Sequence, residues 1–169
     1  IGVFGAGGRI GQLVVDLAHK SDVVKLESVF VRKILDFSID PGVLITKDLK
    51  VFLDSADVII DFTTAEGTNM LLEVALENPK PIVIGTTGLE EHHKNLIKEA
   101  SKKMPILYAS NMSLGVAVLN KVVNLVASTL RDFDIEIVET HHHHKKDSPS
   151  GTALTLAQTC AQARGLELD

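Results

Sequence analysis

Near the start of the chain stands the sequence Val3-Phe4-Gly5-Ala6-Gly7-Gly8-Arg9-Ile10-Gly11, which joins an apolar run to a segment of helical period. Glycine suits this junction because a pyrophosphate must approach the backbone more closely than a Cβ allows. The N-terminus of the following helix offers N–H donors and a positive dipole to the same group. The junction therefore predicts a dinucleotide-binding turn, although Ile10 stands where the G-x-G-x-x-G pattern has its last glycine. A glycine-rich turn without a ligand is the alternative.

Short apolar runs alternate with longer segments of helical period over residues 1–109. Strands that are apolar throughout and separated by helices form a parallel sheet that is covered on both faces. Right-handed crossovers then produce an α/β fold with a Rossmann-type doubly wound parallel sheet. The predicted strands are residues 1–5, 26–31, 58–62, 82–84 and 106–109, with a short one around 43–45, and the predicted helices are residues 9–20, 66–77 and 90–103.

The pattern changes after Ala109, where the polar link Ser110-Asn111-Met112-Ser113 begins. Beyond it we predict a helix over 114–130, an alternating strand over 134–139 and a helix over 152–163. One strand and two helices do not make a stable core. We therefore predict a dinucleotide-binding domain at 1–112 and the start of a second, α+β domain at 113–169, which is incomplete in this chain. A hinge between them is expected near residues 110–114.

The composition is that of a soluble globular protein, since the chain has 169 residues, 45% hydrophobic and 23% charged, with a formal net charge of -5. An acidic chain lacks the surplus of Lys and Arg that binding to a nucleic-acid backbone needs. No apolar run reaches the roughly 18 residues of a membrane span, and no charged leader precedes the first strand. The single cysteine, Cys160, is typical of a reducing compartment. We therefore predict a cytoplasmic protein that binds neither nucleic acid nor membranes.

The end of the second predicted strand bears on the choice of cofactor. A protein that binds NAD usually has Asp or Glu there, which accepts hydrogen bonds from the ribose hydroxyls. Here Val31 holds the place, and Arg32 and Lys33 follow it. Two cations without a carboxylate favour the extra phosphate of NADP, unless they are ordinary solvated charges of a loop.

Polar residues also follow two later strands, in the sequences Asp61-Phe62-Thr63-Thr64 and Gly85-Thr86-Thr87-Gly88. Each sequence alone is typical of a turn or a helix cap. At successive strand ends of one nucleotide-binding sheet, small hydroxyl residues let a dinucleotide lie close to the backbone. We therefore interpret both sequences as parts of the cofactor site.

A second motif occupies residues 139–152, with the sequence ETHHHHKKDSPSGT. The histidine run is internal and lies between a predicted strand and a predicted helix, which disfavours a purification tag. A metal site is disfavoured because neighbouring strand residues point to opposite sides and no Cys or carboxylate stands at ligand spacing. Imidazole and ammonium groups beside a helix N-terminus suit an anionic small molecule such as a polycarboxylate. A Lys or His there can also give the proton that accompanies hydride addition, so the motif indicates a reduction.

Four segments together resemble the dihydrodipicolinate reductase family, also called the 4-hydroxy-tetrahydrodipicolinate reductase family: the glycine turn, Asp61-Phe62-Thr63, Ile84-Gly85-Thr86-Thr87-Gly88 and the motif at 139–152 with Ala153. Their order and spacing agree with the family over nearly the whole chain. The resemblance implies reduction of 4-hydroxy-tetrahydrodipicolinate, a small dicarboxylate, to tetrahydrodipicolinate in the diaminopimelate route to lysine. It implies NADPH or NADH as cofactor. It also implies a cytoplasmic homotetramer whose second domain binds the substrate and builds the tetramer.

The resemblance further implies roles for individual residues. His141 is the implied proton donor or acceptor, and Lys145 is the implied general acid. No metal is implied. Substrate carboxylates are implied to contact His142, Ser150, Gly151 and Thr152, and the cofactor is implied to contact Gly5, Ala6, Gly7, Gly8, Arg9, Ile10, Gly85, Thr86, Thr87, Ala109, Ser110, Asn111 and Met112, in addition to Arg32 and Lys33 from the charge argument above.

Two other classes of protein remain as alternatives. A non-catalytic NAD(P)-binding sensor or regulatory domain accounts for the glycine turn but gives the motif at 139–152 no purpose. A metal-binding protein that uses the histidine run leaves the nucleotide-binding half unexplained. A Lys145→Ala substitution separates these classes, because only an enzyme loses turnover while it keeps its affinity for the cofactor.

Overall fold

The computed structural model describes residues 1–143, 145 and 148–168, so that His144, Lys146 and Asp147 of the second motif lie outside the described residues. The chain forms two compact units, Ile1–Ala109 and Ser110–Asp169. Within the described residues, no helix is both long and apolar enough to cross a membrane.

A parallel sheet of six strands organises the first unit. Its strands are β1 (Gly2–Phe4), β2 (Ser28–Phe30), β3 (Leu44–Thr46), β4 (Ile59–Asp61), β5 (Ile82–Ile84) and β6 (Ile106–Tyr108). They lie in the order β3-β2-β1-β4-β5-β6, and every neighbouring pair is parallel. The strand order changes direction between β1 and β4. Sheets of this kind bind ligands beside that point, at the carboxyl ends of the strands. The predicted Rossmann-type sheet is confirmed.

Four helices cover the two faces of this sheet, namely α1 (Arg9–His19), α2 (Leu49–Asp54), α3 (Ala65–Ala75) and α4 (Glu91–Ala100). Successive strand residues point to opposite faces, so Val3 and Phe4 belong to different cores. Val3 packs with residues of α1, and Phe4 packs with residues of α2, α3 and α4. The helix α2 was not predicted from the sequence, because its six residues are too few to show a helical period. Asp48 caps it, accepting a hydrogen bond from the Lys50 N–H at 2.8 Å.

The described residues of the second unit form two helices, α5 (Leu114–Thr129) and α6 (Gly151–Arg164), and both were predicted. The Arg164 guanidinium at the end of α6 donates to the carbonyl oxygens of Leu130, at 3.0 Å, and Phe133, at 2.5 Å. The Thr159 hydroxyl of α6 donates to Oδ1 of Asn120 on α5, at 3.3 Å. These bonds fix the two helices side by side.

The alternating strand predicted at 134–139 is wrong for the described structure, which assigns no strand there. A strand needs a hydrogen-bonded neighbour, and the described part of the second unit holds no other strand to pair with it. The side chains of Ile135, Ile137 and Val138 are exposed. Alternation in a sequence predicts the shape of a strand but not the presence of its partner.

Candidate functional site

The glycine turn lies between β1 and α1, at the carboxyl edge of the sheet. The Gly8 N–H donates to the carbonyl oxygen of Gly5 at 2.9 Å, and Gly5 has a φ of 99°, which side chains other than glycine rarely adopt. A Cβ on Gly11 would overlap the backbone of Gly5, so α1 packs directly against the turn. The structure thereby gathers six predicted cofactor residues at one strand–helix junction: Gly5, Ala6, Gly7, Gly8, Arg9 and Ile10.

The first turn of α1 is suited to an anionic group. Its N-cap is Gly8, which gives no side-chain cap, and the first turn has no acidic residue. By contrast, Thr64 caps α3 by accepting a hydrogen bond from the Gly67 N–H at 3.2 Å. The N–H groups at the start of α1 and its dipole are therefore left for a bound phosphate, so this junction fits the pyrophosphate of a dinucleotide.

The other predicted cofactor residues of the first unit lie at the same edge. The Gly85 N–H, directly after β5, donates to the carbonyl oxygen of Asp61 at 2.9 Å, and the Ala109 N–H, directly after β6, donates to Ile84 at 3.1 Å. Thr87 is exposed, whereas Thr86 is buried. The Thr86 side chain therefore points into the protein, whereas Thr87 is accessible.

A cavity of about 350 Å³ opens beyond the ends of β2 and β3. The two strands stay paired there, because the Val31 N–H donates to the carbonyl oxygen of Thr46 at 2.9 Å. Lys33 lines the cavity from the β2 side and Lys47 from the β3 side, above apolar walls that include Ile45. Lys47 was not among the predicted cofactor residues; the signal that could have found it is a cation two residues after the short strand predicted at 43–45.

Arg32, unlike Lys33, is not among the residues that line the cavity. Hydrogen bonds from the Glu66 backbone N–H and the Thr64 side chain lower the pKa of Glu66, and the charge of Arg32 adds a smaller contribution in the same direction. The charge of Arg32 therefore acts on a carboxylate in the first turn of α3, whereas Lys33 lines the cavity.

In the second unit, Glu139 connects two parts of the motif at 139–152. Its Oε2 lies 2.8 Å from Nε2 of His141, and its Oε1 accepts a hydrogen bond from the Ser150 N–H at 2.8 Å. Hydrogen bonds from the Ser150 side chain, from His141 and from the Ser150 backbone lower the pKa of Glu139 to about 2. Glu139 is therefore ionised at neutral pH, although it was not among the predicted site residues.

The predicted catalytic residues lie on either side of a short turn. The Lys145 N–H donates to the carbonyl oxygen of His142 at 3.1 Å. His141, His142 and His143 are exposed, and Lys145 is half-buried. The turn brings the predicted proton donors and the predicted carboxylate ligand His142 into one short segment of the second unit.

The predicted substrate residues at the start of α6 differ in how they are used. The Ser150 hydroxyl caps the helix by accepting a hydrogen bond from the Ala153 N–H at 3.0 Å. The Thr152 hydroxyl accepts a hydrogen bond at 3.0 Å from the amide of Asn111, a predicted cofactor residue. The link residues Ser110, Asn111 and Met112 are exposed. Ser150 thus holds the start of α6 in place, and Asn111 joins the link to that helix.

The sheet and its glycine turn define a protein of the Rossmann-type dinucleotide-binding class. The chain belongs to the dihydrodipicolinate reductase family, as its sequence indicated. The family model described as "Dihydrodipicolinate reductase, N-terminus" matches residues 1–112, and the one described as "Dihydrodipicolinate reductase, C-terminus" matches residues 115–167.

Several curated relatives are close in sequence. The 4-hydroxy-tetrahydrodipicolinate reductases of Wolinella succinogenes and Sulfurimonas denitrificans are 65% and 59% identical to the chain, over 100% of its length in both cases. The chain spans 66% of the length of each of these relatives. A solved structure, the dipicolinate-bound dihydrodipicolinate reductase from Paenisporosarcina sp. TG-14, matches with a TM-score of 0.80 and 26% identity, over 96% of this chain and 65% of that one.

Proposed function

We propose that the protein reduces 4-hydroxy-tetrahydrodipicolinate to tetrahydrodipicolinate with NADPH or NADH, the reduction step of the diaminopimelate route to lysine. The observation that carries this proposal is the match of both parts of the reductase family to this chain, in order, at residues 1–112 and 115–167. The dipicolinate bound to the Paenisporosarcina relative favours a small dicarboxylate as the ligand. A cytoplasmic homotetramer, with domains at 1–112 and 113–169, completes the proposal.

The chain's own residues fit the cofactor. Gly5 to Ile10 would hold the pyrophosphate at the start of α1, and the backbone of Gly85 to Thr87 would line the neighbouring strand end. Four further residues are proposed to contact the cofactor: Ala109, which directly follows β6, and the link residues Ser110, Asn111 and Met112. When bound, the cofactor supplies the hydride that the reduction needs.

The cations beyond β2 favour NADPH over NADH. Lys33 and Lys47 line one cavity, and Arg32 directly precedes Lys33 in the chain, so a 2′-phosphate at the end of β2 would meet positive charge there. Val31 supplies no carboxylate to bind the ribose hydroxyls of NADH.

The second unit supplies the proton and the carboxylate contacts. Ionised Glu139 can only accept a hydrogen bond, so the shared proton lies on Nε2 of His141, and Nδ1 is the atom at which this ring exchanges a proton with a reactant. Lys145 carries the second exchangeable proton, on Nζ. His142 and the N–H groups of Gly151 and Thr152 are suited to the substrate carboxylates, with Ser150 fixing the helix that presents them.

Oxidation of NADPH by the full-length protein, with freshly generated 4-hydroxy-tetrahydrodipicolinate, tests the proposal. Wild type should turn over, and Lys145→Ala should lose at least about 100-fold in kcat while its Kd for NADPH is unchanged. Lys121→Ala, an exposed lysine on α5 of the same unit, is the matched control and should behave as wild type. Cofactor that binds but is never oxidised in the presence of substrate would contradict the reductase function and indicate a sensor instead.

A further inference from the structure

Asp61, the last residue of β4, is a carboxylate with no exposed surface. Its Oδ1 accepts hydrogen bonds from the Thr63 N–H at 3.0 Å, the Thr63 hydroxyl at 2.6 Å and the Thr86 hydroxyl at 3.2 Å. Its Oδ2 accepts one from the Thr68 hydroxyl at 2.5 Å. Burial raises the pKa of Asp61, while these hydrogen bonds act in the opposite direction. Burying a carboxyl group without hydrogen bonds costs free energy, and the donors from Thr63, Thr68 and Thr86 offset that cost.

The network joins three separate segments of the first unit. Thr63 follows β4, Thr68 lies on α3, and Thr86 follows β5. The Thr86 hydroxyl also accepts a hydrogen bond from the Thr63 N–H at 3.0 Å, so it bridges the two segments that follow neighbouring strands. Only 2% of Thr86 is exposed, which leaves its hydroxyl out of reach of a ligand.

The segment that Asp61 holds is packed tightly against glycines of the dinucleotide-binding edge. A Cβ on Gly5 would lie 2.7 Å from the carbonyl oxygen of Phe62 and 2.8 Å from Cγ2 of Thr63. A Cβ on Gly85 would overlap the ring of Phe62. The positions of Phe62 and Thr63 therefore set the distance between the glycine turn and the segments after β4 and β5.

We propose that Asp61 is a positioning residue for dinucleotide binding, which acts through Thr63 and Thr86 and does not touch the ligand. The inference rests on the proposed function, because that function requires a dinucleotide at this edge. The carboxylate fixes the strand-end segments against the glycine turn before the ligand arrives, so that binding does not have to order them.

The Kd for NADPH of the full-length protein, read from the fluorescence of the reduced nicotinamide, tests this proposal in Asp61→Ala and Asp61→Asn. We expect Asp61→Ala to raise the Kd at least about tenfold. Asp61→Asn should stay within about threefold of wild type, because its carbonyl oxygen can accept the bonds at Oδ1 and its amide can donate to the Thr68 hydroxyl. Thr86→Val keeps the carboxylate but removes the bridge, and should raise the Kd about fivefold.

Thr68→Val is the matched control, since it removes a hydrogen bond from the same carboxylate without touching the strand-end segments. It should lower the free energy of unfolding and leave the Kd within about twofold of wild type. If Asp61→Ala folds and binds NADPH as wild type does, Asp61 has a structural role alone and the proposal is wrong. If Asp61→Ala does not fold, wild-type binding by Thr86→Val leads to the same conclusion. A wild-type protein that binds neither NADPH nor NADH would instead overturn the proposed function, and this inference with it.

Discussion

Oε2 of Glu139 lies 2.8 Å from Nε2 of His141, and the other oxygen of the same carboxylate accepts the Ser150 N–H. A carboxylate on one imidazole nitrogen fixes the tautomer and the orientation of the ring. The same carboxylate fixes the residue that caps α6. Glu139 therefore couples the ring that is proposed to exchange a proton to the helix that is proposed to receive the substrate carboxylate.

Glu139→Gln should lower kcat about tenfold or more and leave the Kd for NADPH unchanged. Glutamine has one oxygen for two donors; if it keeps the Ser150 N–H, its amide faces Nε2 of His141 and favours the wrong tautomer. Initial rates of NADPH oxidation between about pH 6 and 9 measure the effect. Glu136→Gln, an exposed glutamate of the same segment, is the control. An unchanged kcat over this range would show that Glu139 does not position the ring.

The same carboxylate makes stability depend on pH. Because the pKa of Glu139 is lowered from 4.5 to about 2 on folding, its contribution to stability is fully present above about pH 4.5 and is lost as the pH falls towards 2. The difference in free energy of unfolding between wild type and Glu139→Gln should therefore shrink over this range. Urea unfolding at several pH values measures it. A difference between wild type and Glu139→Gln that stays constant over this range would contradict the lowered pKa of Glu139.

The sheet and the glycine turn could be predicted because their signals are local: apolar runs, helical period and glycines at one junction. The short helix α2 and the absent strand at 134–139 show the limits of those signals, since one is too short for a period and the other depends on a partner strand. The Asp61 network could not be predicted, because Thr63, Thr68 and Thr86 meet only once β4, α3 and β5 are assembled.

Lys47 illustrates the same limit within the candidate site. It stands beside Lys33 because β2 and β3 are paired in a register that places Phe30 opposite Thr46. The sequence showed two cations after β2, Arg32 and Lys33. The pairing of the strands adds Lys47, which lies 14 residues after Lys33 in the chain.

Charge reversal at the cavity should change cofactor preference more than overall binding. Lys47→Glu and Lys33→Glu should each raise the Kd for NADPH about tenfold and change the Kd for NADH less than about threefold, because only NADPH carries the phosphate. Titration of each cofactor by nicotinamide fluorescence gives both constants. Lys98→Glu is the control, because it makes the same change in charge in the last turn of α4, at a residue that does not line the cavity. Equal losses for NADPH and NADH would argue against a phosphate at this cavity.

The packing of α1 against the glycine turn predicts that Gly11 does not tolerate a side chain. A Cβ on Gly11 would overlap the backbone of Gly5, so Gly11→Ala must push the helix away from the turn. We expect it to lower the free energy of unfolding by about 1–3 kcal/mol and to raise the Kd for NADPH at least about tenfold, as the N–H groups of the first turn shift from the phosphate position.

Gly42→Ala is the matched control for this substitution. A Cβ on Gly42 would meet nothing within 4 Å, and its φ lies outside the positive range. The variant should therefore be neutral or more stable by up to about 1 kcal/mol, with an unchanged Kd. Urea unfolding and NADPH titration of both variants decide the question. Suppose that Gly11→Ala destabilises the fold but keeps the wild-type Kd for NADPH. The N–H groups at the start of α1 would then have moved without any change in affinity, so the start of α1 would not hold the pyrophosphate.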